Sequence, residues 1–190
     1  MGLLRPFAGI APTPEEIARE LPGDDLVPDG ALVMDRAFTL PGSPADVWPW
    51  FVQLGKRRAG WYLTRAVERV IPRSRRALRR LDPALAGLRV GDVIPDWGGR
   101  DAYFEVAALE APAVLVHRSI RGPTRLSWAI VLRDAGTAQE PRTRVALRLR
   151  LGPVRHLRLA RTAGGLIDAL TIAGLAAGLR ERLAAGDDRR

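Results

Sequence analysis

The sequence predicts an α+β domain: an antiparallel sheet closed by one long C-terminal helix, with two short helices after the first strand. Three observations carry this. Helical apolar spacing over residues 44–71 gives way to alternation with a period of two over residues 102–151. The alternating segments are joined by short turns, as in a meander of antiparallel strands. A Gly- and Ala-rich apolar stretch, 165–184, then returns to helical spacing.

Taken in order, residues 1–12 read as a loose lead. Thr13-Pro14-Glu15-Glu16 starts a short helix, with Thr13 as cap, Pro14 at the first position and Glu16 closing a capping box. Pro22-Gly23 stops it near Leu21, and the turn-rich, acidic stretch to Gly30 wraps the surface. Leu32 to Leu40 forms the first strand. Pro41-Gly42 turns the chain, and Ser43, Pro44 and Asp46 repeat the capping signature. Val47, Trp48, Phe51 and Leu54 make the apolar stripe of the next helix. Trp48 and Trp50 lie about 100° apart per residue step, so one is expected in the core and the other partly exposed. Trp61 to Ile71 reads as the second helix, closed by Pro72. Residues 73–81 could form a short helix with Arg75, Arg76, Arg79 and Arg80 on one side, and residues 87–94 a strand. The strands of the meander follow at 102–109, 113–119, 125–132 and 143–151. In the third of these, Leu126, Trp128, Ile130 and Leu132 share a face. In the last, Val145, Leu147, Leu149 and Leu151 oppose Arg144, Arg148 and Arg150. In the final helix, Ile172, Leu175, Leu179 and Leu183 line one side, and Ile167, Leu170, Gly174 and Gly178 the neighbouring one. Small residues on such a face let another element approach closely. The domain is read as residues 31–186, with 1–30 as an extension packed on it.

Composition narrows the function classes. The 190 residues suit one core, with 47% apolar and 27% charged residues. Zero cysteine excludes disulfides, a thiolate metal site and a cysteine nucleophile. The net charge of +9 would suit nucleic acid or an anionic membrane. However, Lys56 is the single lysine among abundant Arg, Ala, Gly and Pro, which reads as coding bias. The few aromatic residues are not interleaved with basic ones, which argues against nucleic acid. The N-terminus lacks the apolar run of a signal peptide, and Pro6 breaks a myristoylation pattern. The run Leu166–Leu179 falls short of the ~20 residues that span a bilayer. The expectation is a soluble cytoplasmic protein that does not engage membranes. Its oligomeric state is not legible.

The stretch DRAFTLPGSPADVWPWFVQLGKRRAGWY (35–62), with LPGDDLVPD (21–29) and LRVGDVIPDWGG (88–99), resembles a bacterial branch of the START/Bet v 1-like superfamily, also called SRPBCC or polyketide cyclase/dehydrase-like. The resemblance runs over about residues 14–150. It implies a helix-grip fold, in which a curved sheet grips the last helix around an apolar cavity. It also implies a small hydrophobic ligand, lipid or polyketide-like, with a cyclase, aromatase or dehydratase as the enzymatic alternative. A basic module for nucleic acid or anionic membrane is a third reading.

The cavity-lining candidates are Trp61, Tyr62, Tyr103, Trp128, Ile167, Leu170 and Gly174. For Trp61 and Tyr62 the alternative is core aromatics that anchor the helix. Proton-handling candidates are His117, Asp168 and Tyr103. His117 sits mid-strand, where the alternative is a structural or surface histidine; for Asp168 the alternative is a first-turn residue favoured by the helix dipole. Asp96, Asp101 and Glu105 flank the Gly98-Gly99 turn, where turn chemistry accounts for the two aspartates. His156 lies in a basic run and is expected to be exposed. No metal site and no cofactor are expected, since the two histidines are far apart and no dinucleotide or phosphate loop occurs.

Overall fold

A computed structural model describes residues 5–30 and 32–187. The first four residues of the expected lead, and residue 31 where the domain was expected to begin, lie outside the described residues. The chain forms a curved, unclosed six-stranded antiparallel sheet in the order β1-β6-β5-β4-β3-β2. The strands are β1 (Leu32–Pro41), β2 (Val93–Pro95), β3 (Tyr103–Glu110), β4 (Val114–Arg121), β5 (Thr124–Asp134) and β6 (Arg142–Gly152). The helices are α1 (Pro14–Ala18), α2 (Pro44–Gln53), α3 (Arg65–Glu68), α4 (Leu157–Leu159) and α5 (Gly165–Asp187). A π turn, Ala160–Gly164, joins the last two into one continuous helix.

Both capping boxes form. Thr13 and Glu16 cap α1, and Ser43 and Asp46 cap α2. The sheet has two unlike faces. The inner face carries Phe38, Leu115, Ile130, Val145 and Leu147, packed on α2 and on Ile172, Leu175, Ala176 and Leu179 of α5. The outer face carries Val116, Ala129, Val131 and Ala146, covered by Leu21 and Leu26 of the N-terminal segment. The arginines of β6 that oppose its leucines hold this cover down. Arg148, 5% exposed at its side chain, pairs with Asp24 and Asp35 and donates to the carbonyls of Ile17 and Arg19. Arg144 pairs with Glu16, and Arg150 donates to the Val27 and Pro28 carbonyls. Their buried charge is matched by carboxylates and carbonyls, as burial requires.

Four sequence expectations are corrected here. Trp48 and Trp50 are both buried, because α2 is flanked on several sides: the Asp82 N–H donates to the Gln53 side chain, holding the 81–86 segment beside α2, and Tyr62 meets Trp50 edge-on at 5.6 Å. The second helix is one turn, α3, because residues 61–64 run extended against α5. A Cβ on Gly178 would lie 2.6 Å from the backbone carbon of Tyr62, so only glycine permits that approach. The four-arginine helix at 73–81 is replaced by a 3-10 turn (Arg73–Arg75) and extended chain. There Arg79 turns inward to Glu68 and Glu181. The strand expected over 87–94 is confined to β2.

Candidate functional site

Strand pairing sets the site. The registers align Met34, Leu149, Trp128, His117 and Val106 in one row across the inner face of β1, β6, β5, β4 and β3. Leu126 and Ser119 pair in the next row toward the β4–β5 turn. The C-terminal half of α5 is packed on the sheet along its length, whereas in its N-terminal half Ala169 and Ile172 are buried and Leu166, Ile167 and Leu170 are exposed. Between that half and the sheet lies a groove of about 590 Å³. Its floor is Met34, Leu126, Trp128 and Leu149. One wall is Gly164 of the π turn with Ile167, Thr171 and Ile172 of α5, and the other is Trp61, Trp97 and Phe104.

A strand, two short helices, a meander and a closing helix laid in the sheet's concave face define the architecture. The chain has a helix-grip fold. In this helix-grip chain the aromatic wall is continuous. Trp61 meets Trp97 edge-on at 6.2 Å and stacks on Trp128 at 6.1 Å, and Phe104 lies 6.0 Å from Trp128. The Trp61 indole N–H donates to the Thr171 carbonyl at 3.3 Å, tying that wall to α5.

Two ion pairs border the groove, one through Asp168 and one through Arg121 and Asp96. Arg36 Nε lies 2.9 Å from Asp168 Oδ2, a charge contact rather than an aligned hydrogen bond, while the same guanidinium donates to the carbonyls of Asp35 and Gly165. Burial raises the pKa of Asp168, and the Arg36 charge opposes that rise. Arg121 pairs with Asp96 and lies over the Phe104 ring at 5.2 Å, and Lys56 donates to the Asp96 carbonyl. Behind the aromatic wall is an annex of about 40 Å³, lined by His117, Ile94, Leu54 and the same aromatic residues. His117 stacks on Trp128 at 5.5 Å and meets Phe104 edge-on. Its Nδ1 is buried without a partner, and burial lowers its pKa to about 4. It is therefore neutral at pH 7. Among the described residues, no three acidic or histidine side chains converge as a metal would need.

Of the residues singled out in the sequence, Trp61, Asp96, Trp128, Ile167 and Asp168 line the groove. Tyr62 does not. It is fully buried, its hydroxyl donates to the Trp50 carbonyl, Arg182 lies 4.7 Å over its ring, and burial raises its pKa. Tyr103 points to the outer face, beside Glu105 and Arg118, because strand alternation sends its neighbour Phe104 inward. Gly174 faces the Leu63 side chain, and Leu170 faces solvent outside the groove. Asp101 and His156 are exposed. The sequence reading missed Met34, Arg36, Trp97, Phe104, Arg121 and Leu149. A signal existed for Arg36: alternation with Phe38 and Leu40 puts this charge on the core face of β1, where it needs a partner.

No family model and no curated protein matches the chain. Solved structures similar to it include CalU16 from Micromonospora echinospora, at 15% identity and a TM-score of 0.46, covering 80% of this chain and 84% of that one. A protein from Rhodobacter sphaeroides gives 17% identity and a TM-score of 0.47, covering 82% and 93%. A norcoclaurine synthase point mutant from Thalictrum flavum, in complex with a transition-state analogue, gives 12% identity and a TM-score of 0.45, covering 82% and 96%. The helix-grip assignment rests on the chain's own element order and register.

Proposed function

We propose that the protein binds a small hydrophobic molecule, lipid-like or polyketide-like, in the groove between α5 and the sheet. One observation carries the reading: the inner face and α5 leave about 590 Å³ between them, walled by aromatic and aliphatic side chains. That is the size and character of a small-molecule site. Affinity would come from apolar area removed from water, about 25 cal/mol per Å², less the cost of ordering the ligand.

The experiment uses 1-aminoanthracene, a neutral, polarity-sensitive fluorophore. The wild-type protein should bind it saturably at one site. Leu149→Trp, which puts an indole into the groove floor, should abolish that binding with an unchanged circular dichroism spectrum. Non-saturable binding, or equal binding by the filled variant, ends the reading.

Asp168 favours a second reading, turnover of a polyketide-like substrate. It is a groove carboxylate whose pKa is raised by burial, and so suited to moving a proton. His117 supports it less, being neutral and behind Trp128. If Asp168→Asn leaves conversion of every processed compound unchanged, that reading is wrong.

A further inference from the structure

We infer that the mouth of the groove is a docking surface for an anionic lipid bilayer. The start of β1, the end of β6, the β4–β5 turn, the β2–β3 loop and the N-terminal half of the final helix all meet at one end of the molecule. That end has two properties found together.

The first is exposed apolar surface. Leu159, Leu166, Ile167 and Leu170 of the final helix and Trp97 of the β2–β3 loop are 53–64% exposed. Leu166 and Leu170 lie one turn apart on one face of α5, and Leu159 precedes them across the π turn. Ile167 and Trp97 face each other across the groove opening. By length and composition alone, Leu157–Ala185 would pass for a bilayer-crossing helix. Its opposite side, Ala169, Ile172, Leu175 and Leu179, is packed on the sheet. The exposed stripe can therefore enter a bilayer only from the side, at the depth of the headgroup boundary.

The second property is charge. Arg100, Arg125, Arg155, Arg158 and Arg161 are exposed at this end, and none takes part in an ion pair among the described residues. Asp96 and Asp168 are already matched by Arg121 and Arg36. Asp101 is the opposing free charge on the β2–β3 loop, while Asp25 and Asp29 belong to the N-terminal cover on the outer face.

Charge chooses the occupant. A second copy meeting this face would bring two arginine rims together. Nucleic acid would leave the leucines uncovered. A bilayer of anionic lipid satisfies both, with phosphates for the arginines and the acyl boundary for the leucines and Trp97. This surface stands whether or not the groove holds a ligand. If it does, ligand and membrane meet without water between them.

The test is sedimentation with vesicles of phosphatidylcholine, with and without phosphatidylglycerol, at low and high salt. The wild-type protein should bind the phosphatidylglycerol vesicles, release with salt, and ignore pure phosphatidylcholine. Arg155→Gln with Arg158→Gln should weaken binding by about 30-fold. Leu166→Ser with Leu170→Ser keeps the charge and should weaken it by at least about tenfold. Trp97→Ser on the loop should do so to a smaller degree, and serves if the helix variant fails to fold. The proposal is overturned if no vesicles are bound or if phosphatidylcholine is bound equally. Binding untouched by the serine variants would mean charge alone, and a dimer dissolved by them would mean self-association; either also overturns it.

Discussion

His117 gives the sharpest prediction, because its environment sets a measurable dependence of stability on pH. In the folded chain burial beside Trp128 and Phe104, helped by the Arg58 charge, holds its pKa near 4 against an ordinary value of 6.5. Above pH 6.5 the imidazole is neutral in both folded and unfolded chains and contributes nothing to the slope. As pH falls from 6.5 toward 4, only the unfolded chain takes up this proton, so folding loses stability across that window. The gap between 6.5 and about 4, at about 1.4 kcal/mol per pH unit, makes the full loss roughly 3 kcal/mol. Most of that, about 2–3 kcal/mol, should be gone by pH ~4.5. The comparison is with His117→Phe, an aromatic ring of similar size that cannot titrate. Urea denaturation of both proteins at pH ~7.5 and pH ~4.5 removes the contribution of every other group by difference. The wild-type protein should lose about 2–3 kcal/mol more than the variant. Parallel losses, or an NMR titration of His117 centred near 6.5, would refute the buried, neutral assignment and restore His117 as a candidate acid.

Two further predictions test what holds the final helix. Gly178→Ala should destabilise by about 1–2 kcal/mol despite better helix propensity, because its Cβ would meet the backbone of Tyr62 and Leu63 at 2.6–2.8 Å. Gly174→Ala should stay within about 0.5 kcal/mol of wild type, since the Leu63 side-chain tip it meets can move; equal effects in thermal denaturation would show that residues 62–63 do not clamp α5. Glu68→Gln should cost about 3–5 kcal/mol by stranding the fully buried Arg182 guanidinium. The double replacement Arg182→Met with Glu68→Leu should cost less than Glu68→Gln alone. Additive losses in urea denaturation would mean that the pair carries no mutual dependence.

Much of the architecture was legible because its signals are local. The Thr13–Glu16 and Ser43–Asp46 boxes start helices within one turn of themselves, and the alternation of Leu126, Trp128, Ile130 and Leu132 fixes a strand face residue by residue. The site was half legible for the same reason. Trp61, Trp128, Ile167 and Asp168 were nameable, but Tyr62 and Tyr103 were assigned by residue type, and type does not say which way a ring points. Tyr103 and Phe104 are neighbours sent to opposite faces by the register of β3 with β4, which no window of sequence contains.

By itself, then, the sequence determined the strands, the capped helices, the closing helix and its small-residue face. These follow from backbone propensity and from the period of apolar residues, both settled within a few positions. Only the tertiary structure decided that residues 61–64 stay extended and that the β6 arginines hold the N-terminal segment. It alone brought Arg36 to Asp168, and left Leu166, Ile167 and Leu170 of the last helix exposed beside the groove. Each of these depends on charges, carbonyls or backbone meeting across most of the chain's length, where the cost of burying an unmatched group is decided by partners that sequence spacing does not reveal.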